Sequence, residues 1–190
     1  MIKPVVTGQQ AVLVASQTRS GRLVRVVGFA GLLALASQVR VPVPFSDVPM
    51  TLQLLAVLLA GFMLAPRDAA ASVLLFLAAG SSGLPVFSPG SAGVFGSTGG
   101  YLVGFLAAAV VVSLATAGRR SSLGRLVLAG SIGSLIVLGC GVTWRAVFFG
   151  GDFGLALSTG FWPFLPKAIV ELAIAVSLVR AVRTGTTVRT

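Results

Sequence analysis

The side chains that usually carry chemistry are nearly missing from this chain. It has no histidine, one cysteine and four acids, Asp47, Asp68, Asp152 and Glu171. A metal centre draws on clustered Cys, His or carboxylate ligands, and a covalent mechanism needs a base beside its nucleophile. Neither can be assembled here. Cys140 sits in the apolar run LIVLGCGV, and the acids are scattered with no paired-carboxylate spacing. There is no phosphate-cradling glycine loop followed by Lys and Ser or Thr, so the chain has no evident means of using ATP. The reading is a protein that is not an enzyme, with no metal and no cofactor.

Two stretches have the make-up of a binding site instead. GSTGG, residues 96–100, directly precedes a long apolar run. Its glycines let backbone approach a ligand closely. Ser97 and Thr98 offer hydroxyls, Gly99 lets backbone come close, and the helix start that follows offers unpaired N–H groups. That set suits a ligand with carbonyl or ureido oxygens, and it equally suits a tight turn with a helix cap. The second stretch is FWPFLPKAIVELAIA, residues 161–175. Pro163 and Pro166 fit a helix start, which puts Lys167 in the first turn, where the helix dipole is already positive. An anion should therefore stand nearby. Glu171, four residues on, is one candidate, because positions i and i+4 share a helix face. A ligand carboxylate is the other. An acid one turn inside a membrane span is costly and needs a partner or a cavity to face.

The elements that must position these residues follow from hydropathy. Of 190 residues, 56% are hydrophobic and only 9% are charged, against about 25% in ordinary soluble domains. The expected class is all-α: one polytopic membrane domain of six helices. The apolar runs place them near Val24–Val39, Met50–Ala65, Ala69–Ala79, Tyr101–Ala117, Leu126–Phe148 and Pro163–Val182. Residues 1–21 read as a cytoplasmic tail, not a signal peptide, residues 22–183 as the membrane domain, and residues 184–190 as a second cytoplasmic tail. The net charge of +10 is not a nucleic-acid footprint, because the basic residues flank the apolar runs and form no single stripe. With both termini inside, eleven of the fourteen Lys and Arg residues fall on the cytoplasmic side, leaving Arg40, Arg145 and Lys167 outside.

The outer connections are the unusual ones. RVPVPFSDVPMT at 40–51, residues 80–100 and residues 149–167 are long and irregular, while the inner connections are short and basic. Irregular backbone at membrane depth is tolerated where it is buried in protein or lines a cavity. Three such segments on one side imply a loop-roofed cavity facing outward. Ala30 and Ala34, four apart on the first helix, form a small-residue face for close helix contact, either within the bundle or with another membrane protein.

Three motifs carry a family resemblance. VPVPFSDVPMTLQLLAVLLAGFML (41–64) contains a proline-rich turn and P-x-T-x-Q as Pro49, Thr51 and Gln53. AAGSSGLPVF (78–87) contains G-x-x-G-L-P-V-F, and GSTGGYLVGF (96–105) matches G-P-T-G-G-Y-L-x-G-F apart from Ser97. In order and spacing, the chain from about Val24 to Val179 resembles the BioY family, the biotin-specific S components of energy-coupling-factor (ECF) vitamin transporters. The resemblance implies an S-component bundle in a bacterial-type inner membrane, working with a transmembrane scaffold subunit and ATPase subunits. On that reading Val86, Phe87, Tyr101 and Phe164 bury biotin's rings and tail, and Ser97, Thr98 and Gly99 hold the polar ring. Lys167, with Glu171 beside it, meets the carboxylate. Pro42, Pro44, Phe45 and Pro49 form a lid, and Ala30 and Ala34 dock the scaffold. One departure stands out. The family's sixth helix usually opens P-F-x-P-G-D-x-x-K, whereas Lys167, Ala168 and Glu171 stand here at the Gly, Asp and Lys positions. The site is therefore expected to take biotin; the alternatives are a different vitamin or small carboxylate and, behind that, a membrane enzyme or a scaffold.

Overall fold

The structure is a computed structural model that describes residues 19–43, 46–89, 91, 93–117 and 121–185. Among these residues the chain forms seven α-helices and one hairpin. In chain order they are α1 (Arg19–Gln38), β1 (Arg40–Val43), β2 (Ser46–Thr51), α2 (Gln53–Met63), α3 (Pro66–Ser81), α4 (Gly99–Thr116), α5 (Leu123–Phe148), α6 (Phe153–Gly160) and α7 (Leu165–Gly185), with a 3-10 turn at Gly93–Phe95. Each expected helix is present with shifted ends. The additional α-helix is α6, within the outer segment read from sequence as irregular.

Three helices, α1, α4 and α5, are long and apolar enough to cross a membrane. The helical membrane class expected from sequence is seen, and among the described residues three helices, not six, qualify as spans by length and composition. The reason lies in the packing. Helix α2 has 11 residues, eight of them buried. It sits at the centre, packed against α1, α3, α4, α5 and α7. A helix buried on every side is apolar all round and need not match the bilayer in length. The core runs through it, with Val57 and Leu58 meeting Leu33 of α1, Val73 and Phe76 of α3, Ala108 and Val112 of α4 and Val179 of α7 in one cluster.

The broadest interface is between α4 and α5. It is close because Gly100 has no side chain: a Cβ there would lie 2.4 Å from the carbonyl oxygen of Cys140 and 2.2 Å from Cβ of Trp144. Local signals set the helix starts. Pro66 occupies the first turn of α3. Ser122 caps α5 by accepting from the Arg125 N–H, and Asp152 caps α6 by accepting from the Leu155 N–H.

The two ends of the bundle differ in character. At one end Arg22 and Arg25 of α1 pair with Asp68 of α3, and Arg183 of α7 donates to the Phe62 carbonyl at the end of α2. At the other end stand the hairpin, residues 82–89, 91 and 93–98, and α6. The hairpin is antiparallel, pairing Arg40 with Thr51 and Val41 with Met50, with an irregularity before Val43 pairs with Ser46. The stretch 40–51, expected as an irregular loop, is thus mostly paired strand. Pairing satisfies its backbone N–H and C=O groups, which an unpaired chain at that depth could not do.

Candidate functional site

A hollow lies beneath the hairpin and the stretch carrying Phe87, Ser88, Ser91 and Thr98, at the end opposite the Arg–Asp68 cluster. Its cavity volume is about 60 Å³, below the roughly 300–1,000 Å³ of small-molecule sites, so a guest the size of a vitamin needs its walls to move apart. Strand β2 contributes Val48, Pro49 and Thr51. The start of α2 contributes Gln53 and Leu54. The segment after α3 contributes Phe87, Ser88 and Ser91. Thr98 and the first turns of α4 add Tyr101, Leu102 and Phe105, α5 adds Leu138, and the start of α7 adds Phe164 and Lys167. Most of this wall is aliphatic or aromatic.

The few polar groups are arranged for a guest. Gln53 is buried, and its Oε1 accepts from the Thr51 hydroxyl at 2.9 Å. That bond turns the amide so that Nε2 is the free end, and Nε2 has no partner among the described residues. The Ser88 hydroxyl, also buried, has none either. Leaving a buried polar group unpaired costs about 1–3 kcal/mol. Two such groups on one cavity wall are groups waiting for a ligand's oxygen or nitrogen. Lys167 is the one charged residue among the described residues lining the hollow. Its Nζ lies 2.6 Å from Oε2 of Glu171, whose side chain is only 2% exposed.

The surrounding framework holds this wall firmly. At the end of α1, Ser37 is fully buried, and its hydroxyl shares its proton between the carbonyls of Ala34 and Val86. Gln38 Nε2 reaches the carbonyls of Pro85 and Phe87, and Arg40 donates to that of Pro89 at 2.7 Å. Three consecutive carbonyls and a fourth two residues on are thereby tied to α1 and β1. The Phe87 ring meets Phe76 edge-on at 5.3 Å. Across the cavity, Tyr101 donates its hydroxyl to the Gly160 carbonyl at 2.6 Å, and its ring lies 6.1 Å from that of Phe164.

The residues singled out from sequence fall into three groups. Phe87, Thr98, Tyr101, Phe164, Lys167 and Pro49 come together around the hollow. Glu171 stands behind Lys167. Val86, Ser97 and Gly99 are close in sequence but not on the wall. Val86 serves through its carbonyl, gripped by Ser37. Gly99 is pressed against the Val94 carbonyl and the Trp144 ring, so a Cβ there would clash. The GSTGG turn is fastened by Trp144 Nε1 donating to Gly96 and by the Thr98 hydroxyl reaching Gly93. Pro42 is exposed on β1, and Pro44 and Phe45 lie outside the described residues. Ala30 is buried inside the bundle and Ala34 is half-buried. Sequence reasoning assigned no role to Gln53 or Ser88. A lone amide opening an otherwise apolar helix was the available signal for Gln53. Leu138, mid-way along an apolar helix, gives none.

A multi-pass helical membrane protein with a loop-roofed, largely apolar small-molecule cavity is the class these features define. Residues 9–187 match the BioY family. The chain is 34% identical to "Biotin transporter BioY2" of Lactococcus lactis subsp. cremoris over 159 residues, covering 80% of this chain and 86% of that protein. It is 31% identical to "Biotin transporter BioY" of Thermotoga maritima over 157 residues, covering 81% and 90%. The fold is similar to a crystal structure at 2.1 Å of the S-component for biotin from an ECF-type ABC transporter, with a TM-score of 0.75, 23% identity and 94% of each chain covered. The chain belongs to the BioY family.

Proposed function

We propose that this chain is the biotin-capturing membrane subunit of an energy-coupling-factor importer. The observation that carries the reading is the roofed hollow whose apolar wall presents two unpartnered neutral groups, Gln53 Nε2 and Ser88 Oγ. Biotin is largely apolar, with one compact ureido group and a carboxylate at the end of an aliphatic tail. Phe87, Tyr101, Leu102, Leu138 and Phe164 offer surface to the rings and tail. The Gln53 amide can donate to the ureido oxygen, and the Ser88 hydroxyl can donate to or accept from the same group. Strand β2, through Val48, Pro49 and Thr51, forms the lid side. Lys167 stands where the tail's polar end is reached.

Membership in the family and the names of the relatives support this ligand. The partners belong to the same proposal. The sequence holds no phosphate loop, so uptake requires separate ATPase subunits and a membrane scaffold. The half-buried small residue Ala34 on α1 is the proposed point of contact for that scaffold. The membrane is a bacterial-type inner membrane, with the hollow opening to the outside.

Titration of biotin into the purified full chain in lipid nanodiscs tests the reading. Saturable one-to-one binding, abolished when excess unlabelled biotin precedes labelled biotin, is expected. Failure to bind, or displacement of biotin by a different vitamin at lower concentration, overturns it. The second outcome favours the alternative ligand suggested by the exchanged residues at 167, 168 and 171.

A further inference from the structure

We infer that this site recognises its ligand through neutral groups and takes biotin whose carboxyl group is amide-linked about as well as the free acid. The inference rests on the biotin reading above and deepens it. Lys167 is the one cation on the described wall, and its charge is already matched. Glu171, one turn deeper on the same face of α7, holds the ammonium at 2.6 Å and is shut off from solvent. A carboxylate approaching Lys167 therefore meets a dipole, with a second carboxylate close behind the ammonium. The attraction of one charge is largely cancelled by the repulsion of the other.

Neutral acceptors lose less. An ammonium has three N–H donors, and Glu171 takes one. The others can serve an amide carbonyl as readily as a carboxylate oxygen. Desolvation then favours the amide, since stripping water from a carboxylate costs more than stripping it from a neutral carbonyl. The other available groups on the wall, Gln53 Nε2 and Ser88 Oγ, are uncharged. None of them selects for a charged ligand end.

The experiment is calorimetric titration of biotin and of biotin amide into the full chain in nanodiscs. The expected result is dissociation constants within about threefold of each other. Glu171→Gln leaves Lys167 without its counter-charge, and the acid should then be preferred by about tenfold or more. Replacing both partners, Lys167→Met with Glu171→Gln, should bring the ratio back near one and guards against a folding defect of the single variant. A native chain that prefers the acid by more than about thirtyfold overturns the inference and leaves the biotin reading standing. So does a folded Glu171→Gln chain with an unchanged ratio. A native chain that binds neither compound overturns the biotin reading, and this inference with it.

Discussion

Tyr101 shows how one residue is placed by what its neighbours lack. Its ring occupies space that a side chain at Gly141 would fill, since a Cβ there would lie 2.2–2.4 Å from the ring carbons. Its hydroxyl is spent on the Gly160 carbonyl, so what it offers a ligand is its face. Gly141→Ala should push the ring toward the hollow. Overpacking of this kind costs about 1–3 kcal/mol, and if most of it falls on the bound geometry, ligand affinity drops about tenfold. Titration against the native chain measures this, and unchanged affinity would separate Tyr101 from the ligand wall. Tyr101→Phe should behave differently. It keeps the ring and loses one buried hydrogen bond, about 1 kcal/mol of stability. The melting temperature in detergent should fall while affinity changes only slightly. Gln53→Leu is the converse: the cavity keeps its shape, the unpartnered amide is gone, stability is maintained or improved, and binding weakens. Thermal unfolding and titration on the same preparation distinguish the two patterns.

At the scale of elements, α1 does more than cross the membrane. Ser37 and Gln38 at its end hold the carbonyls of Pro85, Val86 and Phe87, so the wall carrying Phe87 and Ser88 is tied to that helix. Ser37→Ala leaves the Val86 carbonyl without its donor, a loss of about 1–3 kcal/mol confined to one segment. The expected outcome is faster hydrogen exchange across residues 84–91 and a higher ligand off-rate, with little change in the exchange of α4 and α5. Uniform loosening of all helices would show that Ser37 supports the bundle as a whole. The helices were legible in the sequence because apolar runs in a membrane protein have few alternatives to helix. The hairpin was not: the prolines at 42, 44 and 49 argue against strand, and Pro42 and Pro49 are accommodated here in an isolated two-stranded ribbon with an irregular register. The site was half legible. Aromatic and basic residues beside proline- and glycine-rich turns announce themselves, whereas Leu138 and Leu102 line the hollow only because of how α4 and α5 are rotated. Gly99 was readable as functional, yet its missing side chain serves the packing of Val94 and Trp144.

The whole molecule has a polarity that decides what the cavity can be for. One end gathers Arg22, Arg25, Arg67, Arg125, Arg180 and Arg183, and contacts there tie α1 to α3 and α7 to α2. The other end holds the hairpin, α6 and the hollow. Clusters of Lys and Arg are retained on the cytoplasmic side of short-looped membrane proteins, so the charge distribution alone orients the hollow outward. Import is consistent with that orientation and an inward-facing hollow is not. The single cysteine makes the test clean. In a Cys140→Ala background, Leu84→Cys and Phe153→Cys place thiols on exposed residues at the hollow's end, and Ser122→Cys places one at the other. A membrane-impermeant maleimide applied to intact cells should label positions 84 and 153 and leave 122 unlabelled until the membrane is permeabilised. Excess biotin should not protect Phe153→Cys, which is off the cavity wall, while it should slow labelling of Ser91→Cys, which is on it. Reversed labelling would put the hollow in the cytoplasm, and the Arg-rich end would then face outward against the charge rule. Capture from outside would be impossible however well the site bound its ligand.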